Sequence, residues 1–355
     1  MPVFKSDTLQ RIGCELFEAA GCTSDDARVV AEHLIESNLF GHDSHGAIRF
    51  WDYAEGLRTG LYQRKGAPRV VKDHGSAGVV DGKGALGPIG ATFATRLAMA
   101  KARDLGLAAV TLRNTSHIGR IGAYPLIAAR EGLIAQIFVN AGHHGVHVAP
   151  FGGIDGRLSS NPLAFAAPRR AADPIMLDMT TSMAAVGKIW VAANRGQPLP
   201  DGWIIDSTGT PSTDPNALLG DPPGALLPLG GSVGYKGYGL SLLVEILGGA
   251  LSGQGCAAGE KHVDSNGVLI VVFRIDLFTD EQQYYDDVES LIGHVMSSRV
   301  APGIEKILVP GELEFATARL REKDGIDIDQ TTWSKICGEA RHLGIDTDGW
   351  TRLAQ

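Results

Sequence analysis

Four short segments of this 355-residue chain gather side chains able to move protons and hold anions. Ser44-His45-Gly46 with Arg49 puts a hydroxyl, an imidazole and a guanidinium within a few residues. An imidazole titrates near neutrality and exchanges a proton with an alcohol oxygen, while a guanidinium meets a carboxylate with two parallel hydrogen bonds. These types suit 2-oxo acid chemistry; the bland alternative is a capping serine, an exposed histidine and a surface arginine. Asn114-Thr115-Ser116-His117-Ile118-Gly119-Arg120 follows a β-rich run, and ligands gather at strand ends in α/β proteins. His117 there either orients a substrate oxygen or a nicotinamide amide, or is a satisfied histidine in a turn. Leu177-Asp178-Met179-Thr180-Thr181-Ser182 ends an apolar run with an acid and three hydroxyls, which suit the ribose and phosphates of a dinucleotide. In Gly234-Tyr235-Lys236-Gly237-Tyr238-Gly239 the glycines admit close backbone approach and the lysine suits phosphate. Otherwise it is a flexible turn opening the next helix.

Two further patterns invite other chemistry. Gly82-Lys83-Gly84-Ala85-Leu86-Gly87 has the G-x-G-x-x-G spacing of a dinucleotide fingerprint between a strand and a helix. Pro88 and Gly90 crowd the helix start, and the following strand ends in Leu112-Arg113-Asn114 with no acid for a ribose, so an ordinary glycine-rich turn is expected. His143, His144 and His147 offer imidazoles to a metal, but flanking glycines argue against a shared helical face and no carboxylate is close in sequence. No metal site is expected.

The elements that must position these groups follow from periodicity. Residues 7–40 read as two helices, Asp7 opening the first, Gly21 closing it and Ser24 capping the second ahead of Asp25 and Asp26. A polar turn at 41–46 leads into a helix over 48–57. Short apolar runs predict strands at 78–81, 107–112, 134–140, 163–167 and 267–275, with an alanine-rich helix at 89–105. Residues 196–234, dense in Pro, Gly and Asp, read as a long functional loop, 238–251 as an apolar helix, and the chain from 282 as helical.

Composition sets outer limits. Hydrophobic residues make up 44% of the chain, enough for a substantial core, and the length favours two lobes. The net charge of -8 comes without a Lys/Arg run, which argues against nucleic acid or a polybasic membrane anchor. Cys14, Cys22, Cys256 and Cys337 form no C-x-x-C pair, so a reducing cytoplasm is expected. No apolar stretch approaches a membrane span or an export signal.

In this order the segments resemble the malate/L-lactate dehydrogenase family, whose fold binds nicotinamide cofactors without the Rossmann fingerprint. The resemblance runs from about Asp7 to Gly344 through 41–46, Ser116-His117-Ile118-Gly119-Arg120-Ile121-Gly122, Val148-Ala149-Pro150-Phe151-Gly152-Gly153 and Asn161-Pro162-Leu163-Ala164-Phe165-Ala166-Ala167-Pro168. It continues through Leu177-Asp178-Met179, Lys236-Gly237-Tyr238-Gly239, Glu245-Ile246-Leu247-Gly248-Gly249-Ala250-Leu251-Ser252-Gly253 and Pro310-Gly311-Glu312. The segments at 117–122 and 248–253 are most similar to the bacterial hydroxycarboxylate dehydrogenase branch.

The resemblance implies an α/β fold with a central mixed sheet of the malate/L-lactate (sulfolactate) dehydrogenase type and a helical lobe built from both termini, not a Rossmann fold. It divides the chain into 1–70, a helical lobe carrying the catalytic turn; 71–281, the cofactor and substrate domain; and 282–355, a helical segment packing on the first lobe. It implies hydride transfer between NAD or NADP, with NAD slightly favoured, and a small 2-hydroxy or 2-oxo acid such as malate or lactate. His45 would exchange the proton, helped by Ser44, with His117 a second candidate; Arg49 and Ser160 would bind substrate. His117, Asn140, Asp178, Met179, Thr180, Tyr235, Lys236, Gly311 and Glu312 would line the cofactor or reacting centre, and a homodimer is implied. Two positions depart from the family pattern: Ser159 replaces a glycine of Gly-Thr-Asn-Pro, and Lys188 stands where the branch that reduces cyclic imino acids carries an aspartate. The rival readings are an NADPH-dependent cyclic imino acid reductase, a sugar-acid or ureidoglycolate-type enzyme, a metal-dependent lyase or hydrolase, and a catalytically silent binding protein.

Overall fold

Two rows of apolar residues at helical spacing open the chain. The computed structural model describes residues 2–142, 145–258 and 265–353. It begins with β1 (Val3–Phe4), α1 (Ser6–Ala19), α2 (Ser24–Leu39), a 3-10 turn at Asp43–His45 and α3 (Arg49–Thr59). Leu9, Ile12 and Leu16 of α1 and Ala27, Val30, Ala31 and Leu34 of α2 are buried, one stripe per helix. The cap expected at Ser24 belongs to Thr23, whose Oγ1 accepts from Asp26 N at 3.2 Å; Ser24 is already the first residue of the helix.

The middle of the chain supplies β2 (Arg69–His74), β3 (Ala77–Asp81), α4 (Gly87–Leu105), β4 (Leu107–Thr115), α5 (Ala123–Arg130), β5 (Leu133–Asn140), β6 (Leu163–Ala167), β7 (Ile175–Met179) and α6 (Val186–Arg195). The stretch read as a loop over 196–234 contains β8 (Ile204–Ile205), β9 (Pro211–Ser212), α7 (Asn216–Leu219) and β10 (Ala225–Leu226), with the strands joined in the order β10-β8-β9. Two-residue strands are too short to show alternation, so no pattern announces them. Next come α8 (Tyr235–Val244), a π-helical turn at Glu245–Ala250, β11 (Asn266–Arg274), α9 (Glu281–Met296), α10 (Glu312–Asp324), β12 (Ile326–Asp327), α11 (Gln330–His342) and α12 (Asp348–Thr351). The helix expected at 238 starts at Tyr235.

Among the described residues seven strands form the central sheet, in the order β2-β3-β4-β11-β5-β6-β7. Only β3 and β4, joined through α4, run parallel within it; β11 is antiparallel to both β4 and β5. This is the expected mixed sheet, and it differs from a doubly wound dinucleotide fold, which needs successive parallel strands. Ala91, Ala94, Ala98 and Ala102 of α4 let that helix lie close on Val110, Leu112, Ile137 and Ile270 in one core. α4 has Pro88 in its first turn and ends at Gly106 in the left-handed region.

Both ends of the chain meet in a second core. β1 pairs with β12, and Phe4, Leu16, Phe50 and Leu57 pack with Trp333 and Ile336. α9 lies elsewhere than the first lobe: Glu289 pairs with Arg169 at 2.7 Å, and Tyr284 donates to Pro168 O at 3.2 Å. Among the described residues no helix is long and apolar enough to cross a membrane.

Candidate active site

The polar turn between α2 and α3 is held by its neighbours on both sides. Asn38 Oδ1 accepts from Ala47 N at 2.7 Å and Asn38 Nδ2 donates to Asp43 Oδ1 at 2.7 Å. Arg321 of α10 reaches Asp43 with both guanidinium nitrogens, at 2.6 and 3.0 Å. A Cβ at Gly46 would lie 2.5 Å from Asn38 Nδ2, so glycine is what lets the turn close over that side chain. His45 Nδ1 then meets Ser44 Oγ at 2.9 Å, and Arg49 Nε donates to Ser44 O at 3.1 Å while its Nη1 pairs with Asp52 at 3.0 Å.

His117 arrives from the far end of β4 and stacks on His45, ring centroids 5.4 Å apart and planes 26° from parallel. Its Nδ1 lies 2.7 Å from the hydroxyl of Tyr53, which also donates to His117 O at 3.0 Å. With that proton on the carbonyl, Nδ1–H donates to the tyrosine oxygen and Nε2 keeps its lone pair. The loop is held further by Ile118 N donating to Asn266 Oδ1 at 3.0 Å, where Asn266 also donates to Asn140 O at 3.1 Å. Tyr53 and Asn266 escaped the sequence reading. Tyr53 lies four residues beyond Arg49 on one helix, and that i, i+4 relation was the available signal.

The glycine-rich turn is structural. Gly82 N, Gly84 N and Gly87 N donate to Arg113 O, Asn114 O and Ser116 Oγ, each at 2.8 Å. A Cβ at Gly87 would lie 2.6 Å from Ile118 Cα and closer still to the His117 carbonyl. The start of α4, where a dinucleotide phosphate would have to sit, is filled by the chain that carries His117.

Electrostatics favour neutral imidazoles here. Burial, then Arg49, His42 and Arg120, push His45 down to about 3. His117 is held well below its ordinary value by burial, with Arg49 adding. Arg120, itself buried, pairs with Glu36 at 2.9 Å and lies 4.5 Å over the Phe40 ring.

The other expected residues fall into two groups. Asp178 Oδ2 accepts from Gly122 N at 2.7 Å, and Oδ1 has no partner among the described residues. Burial raises this carboxyl, opposed by Arg120 and that N–H. Met179 ends β7 and Thr180 follows it; Met176 N donates to Pro310 O at 3.0 Å, which seats Gly311, at φ +95°, against the same strand. Thr181 N donates to Ser160 O at 3.0 Å and Leu229 N to Thr181 O at 2.9 Å, and Gly237 packs on Leu229, so Ser160, Tyr235 and Lys236 adjoin this band. Tyr235 and Lys236 are exposed at the start of α8.

Asn140 and Glu312 both have their side chains engaged by other groups of the protein. Asn140 is fully buried, donating to Glu245 Oε2 at 2.8 Å and accepting from Gly142 N at 2.8 Å. Glu312 pairs with Lys306 and accepts from Val309 N at 3.1 Å in the first turn of α10. Ser159 is accommodated without strain; the left-handed backbone falls on Asn161, at φ +36°. Of the histidine cluster, His143 and His144 lie outside the described residues; among the described residues no group of three or more His, Cys, Asp or Glu is placed to hold a metal.

What the chemistry of the turn and the His117 loop can do together is exchange a proton with an oxygen beside a carboxylate. That is the acid–base half of hydroxy acid oxidation, and the fold and site place the chain among the 2-hydroxycarboxylate dehydrogenases. It belongs to the malate/L-lactate dehydrogenase family, whose model matches residues 4–337. It is 36% identical over 348 residues to hydroxycarboxylate dehydrogenase B of Escherichia coli K12, covering 96% of this chain and 94% of that protein. To malate dehydrogenase of Pyrococcus horikoshii it is 35% identical over 334 residues, 92% of this chain and 91% of the other. Among solved structures, sulfolactate dehydrogenase from Methanocaldococcus jannaschii superposes with a TM-score of 0.88 at 30% identity, over 98% of this chain and 99% of that one.

Proposed function

We infer that the protein interconverts small 2-hydroxy acids and 2-oxo acids, with His45 exchanging the proton. The observation that carries this reading is the His45–His117 stack, each ring tied at Nδ1 to a hydroxyl, beside Arg49. With its Nδ1–H donating to Ser44 Oγ, neutral His45 keeps its lone pair on Nε2; once protonated there, the imidazolium gives that proton to the substrate oxygen as C2 takes the hydride. In the oxidation direction the same nitrogen takes the hydroxyl proton. His117, with its lone pair at Nε2, accepts from the substrate hydroxyl and is the second acid–base candidate. Arg49 grips the C1 carboxylate and Ser160 adds a hydroxyl to the substrate side.

Members of this family are nicotinamide-dependent, and a bound nicotinamide supplies or receives the hydride. The partnerless Oδ1 of Asp178 supports a fit to ribose hydroxyls, with Met179, Thr180 and Gly311 along the same strand and Tyr235 and Lys236 beyond Thr181. A carboxylate there favours NAD over the phosphorylated form. The division of the chain at about 70 belongs to the same reading; the second boundary, expected at 281, moves beyond Met296 because α9 packs on the sheet domain. So does a homodimer, supported by the exposed Leu242, Leu243, Ile246 and Leu251 along α8 and the turn after it. A cytoplasmic location rests on four unpaired cysteines. The imino acid reductase is the weaker alternative, because Lys188 stands in place of the aspartate that its branch carries.

Loss of absorbance at the reduced-nicotinamide band, followed for NADH and NADPH against a panel of 2-oxo acids and one cyclic imino acid, tests the reading. Turnover with 2-oxo acids is expected. Turnover with the imino acid alone, or with nothing, refutes it.

A further inference from the structure

Resting on that reading, we propose that Lys188 selects 2-oxo acids bearing a second anionic group, binding that group while Arg49 holds the C1 carboxylate. Malate and sulfolactate carry a second acidic group on C3, whereas lactate carries none, so the presence of a second cation at the site decides between two substrate classes.

Ser44 is the common point of reference. Arg49 Nε donates to its carbonyl at 3.1 Å, and a Cβ at Gly187, the residue before Lys188, would lie 3.9 Å from Ser44 Cβ. The first turn of α6 therefore lies against the catalytic turn itself. Lys188 is exposed and, among the described residues, makes no ion pair. Arg49, by contrast, is already paired with Asp52. A lysine in the first turn of a helix opposes the helix dipole, so its placement has no favourable local account. Its charge does reach the catalytic turn: after burial and Arg120, Lys188 helps push His42 down to about 4. A compact ammonium on a flexible stem suits carboxylate and sulfonate equally, since neither needs a planar fork.

The test compares 2-oxosuccinate with pyruvate in the full-length enzyme, using wild type, Lys188→Gln and Lys188→Arg. Wild type is expected to prefer 2-oxosuccinate. Lys188→Gln should raise KM for it about tenfold or more, the order for losing a hydrogen bond to a charged group, with kcat nearly unchanged and pyruvate kinetics untouched. Lys188→Arg should restore most of the preference, and added salt should raise KM for the diacid more than for pyruvate. A Lys188→Gln effect equal on both acids, or a wild type that uses pyruvate as well as 2-oxosuccinate, overturns the proposal. If wild type turns over neither acid, the dehydrogenase reading itself falls, an outcome distinct from activity on pyruvate alone.

Discussion

Gly87→Ala is the substitution that most sharply separates a scaffold role for the glycine-rich turn from a nucleotide-binding one. The added methyl would sit 2.6 Å from Ile118 Cα, nearer still to the His117 carbonyl, where ordinary contact begins at 3.4 Å. Every clashing atom is backbone, so no rotamer change relieves it. Either α4 backs away, straining the 2.8 Å bond from Gly87 N to Ser116 Oγ, or the His117 loop moves by close to an ångström. Overpacking of this kind destabilises by about 1–3 kcal/mol, and a misplacement of about 1 Å in a catalytic group lowers turnover roughly 100-fold. Steady-state kinetics with NADH and a 2-oxo acid, alongside thermal unfolding, should show kcat reduced with cofactor KM little changed. A variant with wild-type kcat and unfolding temperature would refute the packing argument, and one with only the cofactor KM raised would restore the fingerprint reading.

His45→Ala should lower kcat by about 10²–10⁴ while nucleotide fluorescence reports unchanged cofactor binding; unaltered turnover would move the proton exchange to His117. Arg49→Lys should raise KM for 2-oxo acids about tenfold, because a point charge does not replace the guanidinium fork, and an unchanged KM would place the carboxylate elsewhere. Tyr53→Phe leaves His117 without its hydroxyl partner and should reduce kcat about tenfold with little change in fold by circular dichroism; full activity would mean that another group holds the ring. Buried His33 is held down to about 3, so between the unfolded value near 6.5 and that limit the unfolded chain binds more protons and stability falls as the pH is lowered. By pH 5 this one group should account for about 2 kcal/mol. Urea unfolding of His33→Phe at pH 7 and pH 5 should show that much less acid sensitivity than wild type, and equal sensitivity would reject the assignment.

The strands β4, β5 and β11 were legible because each carries an apolar run long enough to exceed chance, and the turn at 41–46 could be singled out because its chemical types are contiguous. Arg120, Tyr53 and Asn266 were not, since their partners lie far away in sequence: Glu36 for Arg120, His117 for Tyr53, Ile118 for Asn266. Asn140 illustrates the converse. A polar residue at a strand end reads as a ligand contact, yet a buried carboxylate at Glu245, donated to by Asn140, Asn161 and Ala257 N, requires those donors internally. Residue type alone does not distinguish a donor aimed into a cleft from one that satisfies a buried acceptor.

The pairing of Asp43 with Arg321, 278 residues further along the chain, sets an order of events during synthesis. At about 5–20 residues per second a ribosome needs roughly 15–60 s to deliver that arginine after the histidine turn has emerged. Throughout this interval β1 lacks β12, and Phe4, Phe50 and Leu57 lack the Trp333 and Ile336 that cover them. Until the last helices are made, the turn carrying Ser44 and His45 lacks its Arg321 contact and the apolar face beside it stays open.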